Sequence, residues 1–350
     1  MLLCGWLGQH EDYGWSYGFG LAGIGMLAGL VTFVRGQRWL SDVGAPARPL
    51  VLTSRFMGVR RETIIYSVGL IIVVSAWGLM QSREVVGAML GVASISAVVG
   101  IVGYALVGCS RIERQRLFVV VFLTMVSVIF WTFFEQAGTS LTLFTDRNVS
   151  KNVFGFEMQA SQMGFLNPLF IILLAPLFFI AWELLGRRGW EPSTPMKFGL
   201  GVLQAGLGFA VLVYGANFAD TAGQVAVVWL VLAYLLHTTG ELCLSPVGLS
   251  MVTRLSVPKV MGLMMGVWFL SSAAAHYLAG MIAGTAAVDA VPGGSIDAVE
   301  SLAVYSETFR SLAYVGIALG IAVMGSAPLV RRYMHESQSD LVEIESRPTD

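Results

Sequence analysis

Phe130-Trp131-Thr132-Phe133-Phe134-Glu135-Gln136-Ala137-Gly138 sets one carboxylate inside an apolar stretch, and Thr239-Gly240-Glu241-Leu242-Cys243-Leu244-Ser245-Pro246 sets a second inside another. A charged side chain at the centre of a bilayer costs at least ~2.5–3.5 kcal/mol on insertion scales, so an intramembrane Glu faces protein or water by default. Two such acids in one chain point to a polar pathway across a membrane. The rest of the sequence agrees. Of 350 residues, 56% are hydrophobic and only 12% charged, with a mean hydropathy of +0.73, whereas soluble domains carry about 25% charged residues. The fold class expected is therefore an all-α polytopic membrane protein, with the lipid bilayer as its surroundings. Cys4, Cys109 and Cys243 form no CxxC spacing, which indicates neither a disulfide framework nor a zinc site.

Apolar runs near 15–35, 63–81, 85–107, 117–143, 162–186, 197–218, 224–253, 259–284 and 308–330 are each long enough to span, since a crossing needs about 20 residues. Alternate loops hold most of the basic charge: Arg35, Arg38, Arg48, Arg55, Arg60 and Arg61, then Arg111, Arg114 and Arg116, then Arg187, Arg188 and Lys197, then Arg254 and Lys259, and last Arg331 and Arg332. By the positive-inside rule these loops are cytoplasmic, so the chain starts outside and ends inside the inner (cytoplasmic) membrane. The opening Met1 to Trp6 has neither a positive region nor an apolar core long enough for a secretory signal. It reads as the middle of a longer protein, so an amino-terminal truncation is expected.

Trp15-Ser16-Tyr17-Gly18-Phe19-Gly20-Leu21-Ala22-Gly23-Ile24-Gly25-Met26 resembles the sixth helix of the proton-dependent oligopeptide transporter family. Phe130 to Asn148 resembles its seventh helix and the loop after it, Glu241 to Ser250 its tenth, and Gly262 to Leu270 its eleventh. The resemblance implies a partial major facilitator fold, in which two six-helix halves enclose a midplane site and rock to give alternating access. It divides the chain into a remnant of the amino-terminal bundle at 1–35, a cytoplasmic linker at 36–62, a two-helix insertion at 63–108, a carboxy-terminal six-helix bundle at 109–333 and a disordered tail at 334–350. The implied function is proton-coupled symport of di- and tripeptides. The family's acidic first-helix motif, ExxERFxYY, and its fourth-helix lysine do not occur in this sequence, so half a binding site is expected. The alternative is a non-transporting module, inert or completed by a second chain that supplies the missing bundle.

Trp131 and Glu135 stand at i and i+4, which puts an indole and a carboxylate on one helix face. The resemblance makes Glu135 the proton-coupling group and Glu241 the counter-charge for the peptide's ammonium. It makes Asn167 a backbone-recognising amide and Trp131 and Trp268 walls of side-chain pockets, while Gln136 and Ser245 adjoin the two acids and are lesser candidates for the substrate-binding site. Trp39, Trp77, Trp182 and Trp190, near span ends, read as interfacial belt residues.

His237, Glu241 and Ser245 fall at i, i+4 and i+8, a stripe that mimics a hydrolase triad. Eight residues rise about 12 Å, far beyond the ~3 Å separating a nucleophile from its base. HExxH is absent too, so no metal site is indicated, and His237 and His276 read as packing or cavity-polar groups. The glycine pairs Gly262/Gly266 and Gly280/Gly284 and the group Gly199, Gly201, Gly206 and Gly208 suit close helix approach. Pro168, Pro176 and Pro246 suit bends. The sequence carries no glycine-rich phosphate loop and no nucleic-acid-binding patch, so neither ATP coupling, a nucleic-acid partner nor a cofactor is expected.

Overall fold

The computed structural model describes residues 2–10, 12–39, 54–56, 58–79, 81–153, 156–286 and 297–335. Most of the linker and nearly all of the tail fall outside these residues. Among the described residues twelve α-helices run in order: α1 Leu2–Gln9, α2 Trp15–Gly36, α3 Arg61–Leu79, α4 Arg83–Gly108, α5 Arg111–Phe134, α6 Ser140–Asn148, α7 Ala160–Met163, α8 Leu166–Arg187, α9 Thr194–Ala216, α10 Val227–Leu255, α11 Met261–Thr285 and α12 Ala298–Met334. Among the described residues nine segments are long and apolar enough to cross a membrane, as the sequence predicts.

Residues 3–92 and residues 93–350 form two units. In the first, α1 and α2 meet around the turn at Gly14 (φ 77°), and Gly18 lies so close to α1 that an added Cβ would sit 2.6 Å from the Cys4 carbonyl oxygen. α3 buries none of its residues, which fits a helix whose whole circumference is apolar and meets lipid.

The second unit is built around α9, which packs along both α12 and α10. Glycine makes this contact possible. A Cβ on Gly206 would lie 2.9 Å from the Gly316 Cα, and one on Gly316 would lie 2.7 Å from the Gly206 Cα. Membrane helices gain little from apolar burial against each other, so packing of this closeness is the stabilising term available to them. Gly208 lies against the His237 imidazole and Gly201 against the Gly240 carbonyl. Gly262, Gly266 and Gly280 behave otherwise: each faces open space, so the GxxxG spacing of α11 is not a packing motif here.

Both ends of this unit are pinned by buried polar side chains. At one end, buried Arg116 donates from Nε to the Met334 carbonyl at 3.0 Å and from a terminal nitrogen to that of His335 at 2.6 Å, occupying carbonyls that end α12. Lys197, also buried, bonds Glu191 at 2.5 Å and lies 4.7 Å from the Trp182 ring centroid, so Trp182 takes part in a cation–π contact. At the opposite end the Asn148 amide donates to the Gly223 and Ala298 carbonyls, while the Ser301 hydroxyl donates to Asn148 Oδ1 at 2.8 Å.

Three expectations need correction. The ninth span starts ten residues earlier than its apolar run, because Asp297 caps the helix and Glu300, Glu307 and Arg310 ride on it, the last two as an exposed ion pair. At 37 residues α12 is about 55 Å long and outruns the ~30 Å hydrocarbon core. The fourth span is not one continuous helix, as described below. Pro168 makes no bend, since it sits in the first turn of α8, where its missing N–H costs no hydrogen bond. Pro176 and Pro246 are interior to their helices, as expected.

The glycine contact is testable. Overpacking a tight interface typically costs ~1–3 kcal/mol, so Gly316→Val should lower the apparent melting temperature of the detergent-solubilised protein. Gly280→Ala, which meets nothing within 4 Å, should leave it unchanged. Equal effects of the two would contradict the α9–α12 packing.

Candidate functional site

The fourth span breaks at its acid. α5 ends at Phe134, and Glu135 keeps one helical bond, its N–H to the Trp131 carbonyl, which preserves the shared face expected of these two residues. The chain then tightens into a 3-10 turn over Glu135–Gly138 and turns at Thr139 (φ −129°, ψ −104°) before α6 begins. Irregular backbone at membrane depth persists only where neighbours satisfy the freed polar groups.

Gln136 meets that requirement. Its Nε2 donates to the Thr132 carbonyl at 3.2 Å and to the Ala279 carbonyl of α11 at 3.3 Å, while its Oε1 accepts from the Ser140 hydroxyl at 2.6 Å. The Thr142 hydroxyl donates to the Ala137 carbonyl at 2.6 Å. Gln136 is fully buried, and its amide fastens the break in the fourth span to α11.

Glu135 itself is partly open. Its Oε1 lies 3.3 Å from Nε2 of His276 on α11. That contact was not legible in the sequence, because residues 141 positions apart leave no spacing signal; the one cue was a histidine in an apolar helix.

The second acid is held by a different pair. Asn167, near the start of α8, donates from Nδ2 to Glu241 Oε2 at 2.8 Å and lies 3.2 Å from the Thr238 hydroxyl. Thr238 in turn donates to the Tyr234 carbonyl at 2.7 Å. Thr238 precedes Glu241 by three positions, so helical spacing alone could have flagged it. Glu241 and Glu135 stand within electrostatic reach of each other. The structure thus brings together Trp131, Glu135, Asn167 and Glu241, with Gln136 buried directly behind.

Ser245 stands one turn beyond Glu241 on α10 and is partly exposed. Trp268 is further off. It lies eight residues before His276, about 12 Å along the helix, with its ring edge over Gly248 and an edge-to-face contact to Phe198 at 6.5 Å between centroids. Trp131 packs edge to face with Phe130 and Phe134 at 5.4 and 5.3 Å.

His237 belongs elsewhere. It is buried against Gly208 and Phe209, with Nε2 3.1 Å from the Ala205 carbonyl, so it faces α9 while Glu241 faces α8. The triad-like stripe therefore splits between two neighbours. Among the described residues no group of three or more His, Cys, Asp or Glu is placed to hold a metal ion.

Comparisons with known proteins identify the family. Residues 1–297 match the model of the POT family. Dipeptide and tripeptide permease A of Serratia proteamaculans is 34% identical over 345 residues, covering 97% of this chain and 64% of its own. Peptide transporter YePEPT of Yersinia enterocolitica is 38% identical over 301 residues, covering 82% of this chain and 58% of its own. Among solved structures, a peptide transporter POT, crystallised as a glutamate-to-glutamine mutant in complex with alafosfalin, aligns with a TM-score of 0.74. It is 30% identical, over 95% of this chain and 64% of that one. The chain spans about 58–64% of the length of these curated relatives.

Replacing Gln136 with Leu leaves the buried Ser140 hydroxyl without its acceptor, a loss of about 1–3 kcal/mol, and removes the tie to the Ala279 carbonyl. The expected result is a clear fall in melting temperature for Gln136→Leu and none for Ser245→Ala. A Gln136→Leu protein as stable as its parent would show that the break is held by other means.

Proposed function

The chain belongs to the POT family, and we propose that it forms the peptide-binding and proton-coupling wall of a symporter for di- and tripeptides. The fold is that of the major facilitator type, multi-pass in the membrane, and alternating access moves the substrate. The reading rests on one observation: two partly open carboxylates on neighbouring helices are each held by a polar side chain from a third or fourth helix. The names of the permeases it resembles support the choice of substrate.

Glu241 is the counter-charge for the peptide's ammonium. The Asn167 amide occupies one lone pair of Oε2 and fixes the carboxylate's direction, and the remaining lone pairs receive the cation. Asn167 offers its Oδ1 to a peptide N–H. Trp131 forms a wall beside Glu135, Trp268 and Ser245 line the more distant end of the cavity, and Gln136 positions Glu135 without meeting substrate. Glu135 takes up and releases the coupled proton. The opposite wall, which grips the peptide carboxylate, comes from an amino-terminal bundle. Residues 63–108 are a lipid-facing insertion between bundles, and 109–333 are the carboxy-terminal six-helix half. The basic loops put the carboxy terminus on the cytoplasmic side of the inner membrane.

The acids separate in an experiment on the intact transporter. A hydrogen bond to a charged group is worth about 1.5–3 kcal/mol, so Glu241→Ala should weaken dipeptides with a free amino group by about 10- to 100-fold. Amino-blocked dipeptides should change little, and equal losses for both would overturn the ammonium assignment. Glu135→Gln should abolish pH-driven accumulation while leaving exchange of labelled for unlabelled peptide intact; undiminished accumulation would remove Glu135 from coupling.

A further inference from the structure

His276 bonds in two directions. Its Nδ1 lies 2.8 Å from the Ser272 carbonyl, one turn earlier on α11, and its Nε2 lies 3.3 Å from Glu135 Oε1. A carbonyl oxygen only accepts, so Nδ1 carries a hydrogen and the tautomer is fixed. If the imidazole is neutral, Nε2 then presents a lone pair to a carboxylate that also presents lone pairs. The contact holds only when one further proton lies between them, as imidazolium with carboxylate or as imidazole with carboxylic acid.

We propose that Glu135 and His276 form a single proton-binding unit whose loading ties the break in the fourth span to α11. Loading takes one proton from water and brings the unit from a net charge of −1 to zero, with no covalent bond otherwise made or broken. Release leaves two acceptors face to face, and the tie opens. One residue away, the Gln136 amide holds the Ala279 carbonyl whether or not the unit is loaded, so the joint has a fixed point beside a proton-dependent one. His276 is 59% exposed, so the pair is not sealed off within this chain. Among the described residues, His276 on α11 pairs with Glu135, and Glu241 on α10 stands within electrostatic reach of it. An ammonium arriving at Glu241 therefore acts on the same charge balance that the shared proton sets.

This inference rests on the transport reading above and adds a residue to it, and the tests distinguish the two. In the intact transporter reconstituted into liposomes, His276→Asn and Glu135→Gln should each lower pH-driven dipeptide accumulation by about tenfold or more, the equivalent of ~1.4 kcal/mol. The double variant should be no worse than either alone, and peptide exchange at constant pH should persist in all three. If Glu135→Gln abolishes accumulation while His276→Asn matches the parent, or if the two losses multiply, the shared unit is overturned and the coupling role of Glu135 stands. If Glu135→Gln has no effect, the coupling role fails with it.

Should His276→Asn fail to insert, nitrogen NMR of the histidine in the parent protein decides the same point. The expected result is an Nδ1 that keeps its hydrogen throughout and an Nε2 environment that changes with the pH midpoint of accumulation. An Nδ1 without hydrogen, or an Nε2 indifferent to pH, overturns the proposal.

Discussion

A carboxylate at membrane depth must find a polar partner within the protein, and in this molecule each of two finds one on a neighbouring helix. Glu241 takes the Asn167 amide from α8, and Glu135 takes the His276 imidazole from α11. Much of the local structure follows from that requirement. The fourth span stops being a regular helix at Glu135, and Gln136, Ser140 and Thr142 bond the polar groups exposed by the break. Breaking the helix there and partnering the acid there are two parts of one arrangement.

The surroundings divide into a rigid part and a polar part. α9 and α12 are held backbone to backbone through Gly206 and Gly316, and α12 is tied to Asn148 near its start and to Arg116 at its end. No site acid lies on either helix. The acids and their partners sit on α5, α8, α10 and α11, joined by hydrogen bonds whose strength depends on charge and protonation. Two of these helices, α8 and α10, carry an interior proline, as α12 does near its end at Pro328, and such a residue removes a backbone bond and lowers the cost of bending there. A scaffold packed by glycine beside an acid-bearing group of helices suits a protein that must change shape around a fixed site.

Much of this was legible in the sequence, because lipid imposes a simple grammar. Spans appear as long apolar runs, and Glu135 and Glu241 stand out because ionisable residues are rare within them. Helical spacing placed Trp131 beside Glu135 correctly. Reading stopped where contacts join distant positions: nothing near His276 in sequence points to Glu135, and nothing near Asn167 shows that its amide turns to Glu241. Glycine spacing misled on α11, since a GxxxG pattern gives a helix a smooth face without saying whether another helix lies against it. The length of α12 was hidden because Glu300, Glu307 and Arg310 interrupt its first turns, so the apolar run begins later than the helix does.

The central claim is that Glu241, oriented by Asn167, receives the substrate's positive end while Glu135 handles the proton. A structure of the intact transporter with a bound dipeptide tests it most directly. The account predicts the ammonium nitrogen within hydrogen-bond distance of Glu241, roughly 2.7–3.2 Å, with the Asn167 amide still on the same carboxylate. An ammonium seated on Glu135, or a Glu241 carboxylate out of reach of the peptide, would contradict it.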